Sequence, residues 1–295
     1  MSKGITTIQV KEPDTLMHFL LDKMGGMSRT SVKQMLSLRQ VSVNGTIQTR
    51  HDHSLETGDT ITIQPLKAAN EFRHPKLKII YEDEYIVVVV KKNGLLTVAT
   101  NMASREVTCL SLLKNYYKQR SDRNGVYVVH RLDRETSGVL VFAKTQELQH
   151  YMRDYWREIV KERTYIALAE GEMKPKDGTI TTWLTEDKRN AVVYSSPYDD
   201  GGKIAITHYK TLKSNGDYSL LQLNLETGRT NQIRVHLQSK GCPVVGDRKY
   251  GHAATSTPVI DRLALHAQTL CFIHPATEQL VRFVSPVPKE FNKVF

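Results

Sequence analysis

The stretch VYVVHRLDRETSGVLVFAKT, residues 126–145, constrains this chain more than any other. Two β-branched apolar runs, Val126 to Val129 and Val139 to Phe142, bracket a polar core of His130, Arg131, Asp133, Arg134, Glu135, Thr136 and Ser137. The runs suit strands, and Thr136, Ser137 and Gly138 supply the turn chemistry of a loop between them. A charged hairpin loop explains Gly138 but not why Asp133 sits between Arg131 and Arg134. Opposite charges favour the ionised form of a carboxylate, so Asp133 is set up as a nucleophile or base, with Glu135 its rival nearby.

The rest of the chain beyond residue 78 is strand-rich. KIIYEDEYIVVVVKKNG reads as two strands around an acidic turn, and SREVTCLSLLKNYYKQR and TQELQHYMRDYWREIVKE read as helices. This order predicts an α+β fold with a mixed, mainly antiparallel sheet over residues 78–295. A second polar segment, LETGRTNQIRVHLQSKGCPVVGDRKYG, spans residues 225–251. Ile233, Val235 and Leu237 alternate there with Arg234, His236 and Gln238, which predicts a strand carrying Gln232, Arg234 and His236 on one face. In the third segment, RLALHAQTLCFIHP, His266 and His274 read as satisfied core or edge histidines.

Residues 1–65 look self-contained. Leu16, Phe19, Leu20 and Met24 fall at helical spacing, as do Val32, Met35 and Leu36 behind the capping residue Ser28. VSVNGTIQ is a hairpin around Asn44-Gly45, and TGDTITIQP turns at Gly58-Asp59 into another strand. A small α/β module results, joined to the rest by the polar, Pro75-containing linker of residues 66–77. From Met24 to His51 no Asp or Glu occurs, while Arg29, Lys33, Arg39 and Arg50 all fall in that interval, predicting one purely cationic face. Arg29 and Lys33 lie one turn apart, away from Val32 and Leu36.

Lys and Arg outnumber Asp and Glu 41 to 31, a formal charge of +10, which favours an anionic partner such as nucleic acid. Cys109, Cys242 and Cys271 are odd in number and lack a CxxC spacing, so a disulfide framework and a zinc knuckle are excluded and a cytoplasmic setting is expected. The N-terminal residues have no export-signal pattern, and no window is apolar enough for a membrane helix. Neither GxxxxGK nor GxGxxG is present, nor the paired motifs of zinc deaminases, so no cofactor and no metal are expected.

Two resemblances follow from these segments. SRTSVKQMLSLRQVSVNG with LETGDTITI resembles the S-four RNA-binding domain, over about residues 8–65. HRLDRETSG, GRTNQIRVHL, GDRKYG and RLALHA, in this order, resemble the RluA-type pseudouridine synthases, which isomerise uridine in RNA; the match runs from about Lys78 to Phe283. That resemblance implies a catalytic domain of the pseudouridine synthase type, with Asp133 as catalytic residue, Tyr165 of KERTYIALAEG as the motif tyrosine, and Arg234 as the arginine after Gln-Ile. Asn231 stands where the family mostly has histidine, and Lys91-Lys92 where it has Lys-Pro. These departures bear on substrate contacts and on the rigidity of the early loop.

The implied reaction breaks the bond between uracil and ribose, rotates the base and rejoins it through carbon five, with no group gained or lost. Asp133 would attack the sugar or the ring, or remove a ribose proton, the last being the route expected here. Arg234 would pair with Asp133, and Tyr165 would stack on the uracil and assist proton removal from carbon five. Arg131 or Arg134 would act as wedge or phosphate clamp for the extruded base, the resemblance favouring Arg131 beside His130. RNA is the expected partner, ribosomal RNA of the large subunit first and transfer RNA as the alternative, with a monomer as the default state. The competing readings are a catalytically silent RNA-binding or ribosome-assembly factor on the same scaffold, and a nucleoside hydrolase releasing free uracil.

Overall fold

The computed structural model describes residues 6–25, 27–37, 40–63, 72–99, 106–119, 125–187, 189–252 and 259–295. The first of these segments form β1 (Thr6–Gln9), β2 (Asp14–Thr15), α1 (Leu16–Lys23), α2 (Arg29–Ser37), β3 (Val41–Val43), β4 (Thr46–Ile47), β5 (Ser54–Leu55) and β6 (Thr60–Ile63). Thr15 caps α1 by accepting from the His18 N–H, and the Ser28 hydroxyl accepts from the Ser31 N–H at 3.1 Å at the start of α2. The helical spacing read from the sequence is the buried spacing. Leu16, Phe19 and Leu20 pack with Val32, Met35 and Leu36 against Val41, Val43, Ile61 and Ile63 of a sheet ordered β1-β6-β3-β4. Asn44 and Gly45 turn the β3–β4 hairpin with φ of 49° and 81°, the left-handed region that these two residues tolerate.

Arg39 and residues 66–71 of the expected linker lie outside the described residues. Further along, Phe72 packs edge-on against Tyr116, and Leu77 already opens the first strand of the second region.

That region contains β7 (Leu77–Glu82), β8 (Ile86–Lys91), α3 (Cys109–Gln119), β9 (Tyr127–Val128), β10 (Ser137–Ala143), α4 (Gln146–Asp154), α5 (Trp156–Ile159), β11 (Val160–Glu170), β12 (Asp177–Asp187), β13 (Val192–Ser196), β14 (Lys203–Ser214), β15 (Tyr218–Leu225), α6 (Gln232–Ser239), β16 (Leu265–Ile273) and β17 (Leu280–Val284). The strands form one sheet in the order β13-β12-β14-β15-β11-β16-β10-β8-β7, with β17 added to β16 and β9 to β10. Among the described residues β10 and β16 make the one parallel pair, so the sheet is mixed and mainly antiparallel, as the strand-rich order predicts.

β10 is apolar without alternation because both its faces are covered. Leu140 and Phe142 pack with Leu113 and Tyr117 of α3, while Val139, Val141 and Ala143 pack with Met152 of α4 and Phe272 of β16. β9 pairs with the far end of β10, so the polar segment of residues 129–136 does connect two strands.

Two expectations are corrected. Residues 160–162, read as the end of a helix, begin β11, because pairing with β16 overrides the local helical pattern. Residues 232–239, read as a strand, are the helix α6. The alternation misled because Gln232 and His236 are buried although polar. Gln232 bonds to Thr227, Thr207 and the Ile206 carbonyl, and His236 sits between Thr182 and Thr207 at 3.0 and 2.9 Å. Two residues along a helix is about 200° of rotation, so Arg234 and His236 face opposite sides rather than sharing one.

His236 and His266 are enclosed and held neutral, burial pushing both down to about 4. Below the ordinary value of 6.5 the unfolded chain binds protons that the folded chain refuses, so stability falls as the pH falls from about 6.5 towards 4. Each histidine contributes on the order of 3 kcal/mol to that loss. Urea midpoints measured from pH 7.5 down to pH 4.5 should fall steeply across this window, and a flat profile would contradict the assignment.

Candidate active site

Asp133 is positioned by backbone contacts on both sides of it. The Thr97 hydroxyl donates to the Leu132 carbonyl at 2.8 Å and accepts from the Leu132 N–H at 3.2 Å. The Arg134 carbonyl accepts from the Gly94 N–H and from the Lys91 Nζ, each at 2.9 Å, and the Thr136 N–H closes a turn onto the Asp133 carbonyl. Lys91 is fully buried and also donates to the carbonyls of Leu95 and Lys92. Burial pushes its ammonium down to about 8, opposed by the charges of Glu135 and Asp133.

The next residues anchor the loop to the sheet. Ser137 and Gly138 pair in register with His266 and Ala267 of β16. Gly138 has φ of +127°, and a Cβ there would lie 2.1 Å from the Ala267 carbonyl oxygen, so no other residue fits. Arg262 donates to the Ser137 hydroxyl at 2.7 Å, leaving that hydroxyl to donate to His266 Nδ1 at 2.8 Å. The TSG and RLALHA segments are thus two halves of one clasp, and His266 is a satisfied core histidine. His274 is another, its Nε2 2.9 Å from Asp83 Oδ2.

Around Asp133 opens a cavity of about 500 Å³. Its walls include Tyr165 of β11, Arg234 of α6, His130 and Arg131 of the loop, Trp156 of α5, and the Gly228-Arg229-Thr230 turn. The structure therefore brings together Asp133, Tyr165, Arg234, His130 and Arg131. Arg134 points elsewhere and is paired with Glu106 at 2.9 Å. Asp133 keeps 29% of its side chain exposed and faces Arg234 at 3.8 Å, an ion-pair distance without a hydrogen bond.

Arg234 has a stronger partner. It donates through Nε and Nη2 to the two oxygens of Asp247, both at 2.7 Å, in the bidentate fork that guanidinium and carboxylate form best. Its Nη1 donates to Asn231 Oδ1 at 2.9 Å, and the guanidinium lies over the Tyr250 ring. Asp247, in GDRKYG, is fully enclosed. Burial opposes its ionisation, but hydrogen bonds and charge from Arg234 and the N–H groups of Tyr250 and Lys249 outweigh that and hold it below the usual carboxylate range. Asn231, at φ of +53°, also donates to the Tyr250 hydroxyl at 3.2 Å, so the residue that departs from the family pattern links Arg234 to Tyr250.

His130 accepts from the Val141 N–H through Nε2 and stacks on Trp156 with ring centres 4.8 Å apart. Desolvation, then the charge of Arg163, push it down to about 3, so it is neutral and contributes shape rather than charge. Tyr165 is raised above its ordinary value by burial, which Arg163 opposes and Asp133 reinforces; it presents a neutral phenol to the cavity. The cavity thus offers the Asp133 carboxylate facing Arg234, with Asp154, Glu158 and Glu226 exposed elsewhere on its walls, together with an aromatic wall and several guanidinium groups, a set that suits a planar base carried on an anionic chain. Among the described residues no three His, Cys, Asp or Glu side chains gather as a metal site would require, and no helix is long and apolar enough to cross a membrane.

Sequence reasoning did not find Asp247, Thr97, Trp156 or Arg163, and it noted Lys91 only as part of the Lys-Lys pair. GDRKYG was visible as a segment, but nothing local says that its carboxylate reaches across to α6. Arg29 and Lys33 are exposed, as expected, and border a groove with His51; Asp52 also lines it, bonded to Arg50 at 2.9 and 3.0 Å, so the face is not purely cationic.

Removing one member of a buried pair leaves the other charge uncompensated, at a typical cost of about 3–5 kcal/mol. Asp247→Ala should lose stability on that scale in urea denaturation. Asp133→Ala, which removes a half-exposed group with no hydrogen bond to Arg234, should stay within about 1 kcal/mol of wild type.

Comparison with known proteins agrees with this architecture. A family profile described as RNA pseudouridylate synthase matches residues 85–239. An uncharacterized RNA pseudouridine synthase of Bacillus subtilis, YhcT, is 33% identical over 273 residues, covering 90% of this chain and 88% of that one. The ribosomal large subunit pseudouridine synthase D of Nitrosomonas europaea is 33% identical over 303 residues, covering 96% and 86%. Among solved structures, human RNA pseudouridylate synthase domain containing 1 superposes with a TM-score of 0.58 at 25% identity, covering 71% of this chain and 83% of that one. The fold is that of the pseudouridine synthases. The chain belongs to the RNA pseudouridylate synthase family and is an isomerase enzyme.

Proposed function

We propose that the chain converts specific uridines of large-subunit ribosomal RNA to pseudouridine, with Asp133 as the catalytic residue. The observation that carries the reading is the placement of Asp133. It is a half-exposed carboxylate on a backbone clasped from both sides, in a cavity walled by Tyr165 and 3.8 Å from the Arg234 cation. A relative named for the ribosomal large subunit, similar over nearly the whole chain, supports the choice of RNA.

In this reading an extruded uridine enters the cavity with its base against Tyr165 and its ribose towards Asp133. Asp133 removes a ribose proton and later returns it. Arg234, held by three hydrogen bonds to Asp247 and Asn231, cannot rotate away, so it acts as a fixed positive charge facing the Asp133 carboxylate. Tyr165, neutral at rest, contributes stacking, and its hydroxyl assists proton transfer from carbon five after the base has turned. Arg131, exposed at the rim, takes the wedge or phosphate role, since Arg134 is already neutralised by Glu106. Action as a monomer is part of this proposal, and ribosomal RNA as substrate supports a cytoplasmic site of action.

The test is to incubate the protein with unmodified large-subunit and transfer RNA transcripts and to map new pseudouridines. Wild type should modify the former and Asp133→Asn should be inactive. Modification by Asp133→Asn would remove the catalytic assignment, free uracil would make the protein a hydrolase, and no product on any RNA would make it a silent RNA-binding factor.

We further propose that residues 1–65 are an S-four-like RNA-binding module, with Arg29 and Lys33 as phosphate contacts. Its helix pair and hairpin around a core of their own support this, as does the exposure of both cations. Phosphate contacts add affinity that falls with salt. Arg29→Ala with Lys33→Ala should weaken RNA binding in filter assays and lower the slope of log affinity against log salt by about 1 to 2. An unchanged slope would place the RNA elsewhere.

A further inference from the structure

Arg163 stands two residues before Tyr165 on β11 and lines the same cavity. It is partly enclosed, and its Nη2 donates to the carbonyls of Leu225 and Glu226, each at 3.2 Å. Among the described residues no carboxylate lies within ion-pair distance of it. The other cations of the cavity differ. Arg234 is bound to Asp247, Arg131, Arg153 and Arg157 are exposed, and Arg229, on the opposite turn rather than beside Tyr165 on its strand, donates through Nε to the Ile204 carbonyl at 3.0 Å. A Cβ at Gly228 would come within 2.8 Å of Arg163 Nη1, so the glycine of the GRT turn makes room for this guanidinium. The two carbonyls hold Nη2 and, among the described residues, leave Nη1 and Nε without a hydrogen-bond partner in the cavity that Tyr165 and His130 also line. Burial without a counter-ion is costly, and it lowers the Arg163 pKa. Such a cation is answered when the ligand brings negative charge.

The reaction creates that charge inside the cavity. When the bond from C1′ of the ribose to N1 breaks, its electron pair leaves with the base, giving a uracil anion whose charge spreads over O2 and O4. After rotation, ring electrons form the bond from C5 to C1′. C5 then loses its proton and N1 gains one, so atoms and charge balance. We propose that Arg163 is a further catalytic residue, donating to O2 or O4 of the detached uracil and neutralising the anion while it turns. This rests on the reading of the chain as a uridine isomerase.

The experiment compares wild type, Arg163→Lys and Arg163→Met in single turnovers. The substrates are two transcripts, one with uridine and one with 5-fluorouridine at the mapped target, each followed by loss of the original nucleoside. RNA affinity is measured in parallel. Arg163→Met should slow the uridine reaction on the order of 10²-fold, the cost of removing one charge-stabilising donor, with affinity nearly unchanged. Arg163→Lys should fall between. Because fluorine itself stabilises the departing anion, the Arg163→Met defect should shrink severalfold on the 5-fluorouridine RNA. That ratio is taken within one preparation, so a partly misfolded fraction cancels. An equal defect on both RNAs, or a loss confined to affinity with a shallower salt slope, would overturn the proposal, the latter marking Arg163 as a phosphate anchor. An active wild type with equally active Arg163→Met sinks this assignment alone; a wild type that makes no pseudouridine sinks the functional reading and this assignment with it.

Discussion

The close approach of β10 to β16 at Gly138 is the constraint on which the site depends. A backbone that passes so near the Ala267 carbonyl has no room for a side chain, and its positive φ turns the incoming loop sharply out of the sheet. That turn lifts Asp133 above the strand ends. The clasp of Arg262, Ser137 and His266 then locks the two parallel strands in one register. A slip by one residue would reverse the faces of β10, both of which are packed, so the register is fixed as firmly as the core itself.

Charge is arranged in the same manner, with supports that do not move. The guanidinium of Arg234 is held by Asp247, Asn231 and Tyr250 before any substrate arrives, so its field at Asp133 requires no reorganisation during reaction. Lys91 does the corresponding work from below. Three carbonyls replace its hydration, and its stem occupies the core beneath the loop.

What the sequence showed was whatever depended on neighbours along the chain. The apolar spacing of α1 and α2, the Ser28 cap of α2, the Asn44-Gly45 turn, and the apolar runs around His130 to Ser137 all predicted the elements found. Asp133 was picked from its arginine neighbours, and more firmly from the resemblance of HRLDRETSG to a family signature. The misreading of α6 had a physical origin: Gln232 and His236 are buried because threonines from other strands satisfy them, and a hydrophobic period cannot register a satisfied polar residue. The buried roles of Lys91, noted in the sequence only as part of the Lys-Lys pair, and of Asp247 went unread for the same reason. A buried lysine and a buried aspartate look like surface residues until the carbonyls and the guanidinium that hold them are in place.

The parallel pairing of Ser137 with His266 joins positions 129 residues apart in sequence. Such a contact closes a very large loop and belongs to the slow, late class of folding events. During synthesis the Asp133 loop therefore leaves the ribosome well before the strand that orients it. A nascent chain that has not yet exposed β16 carries the signature residues but no assembled cavity, so it has no means of modifying RNA while still being made.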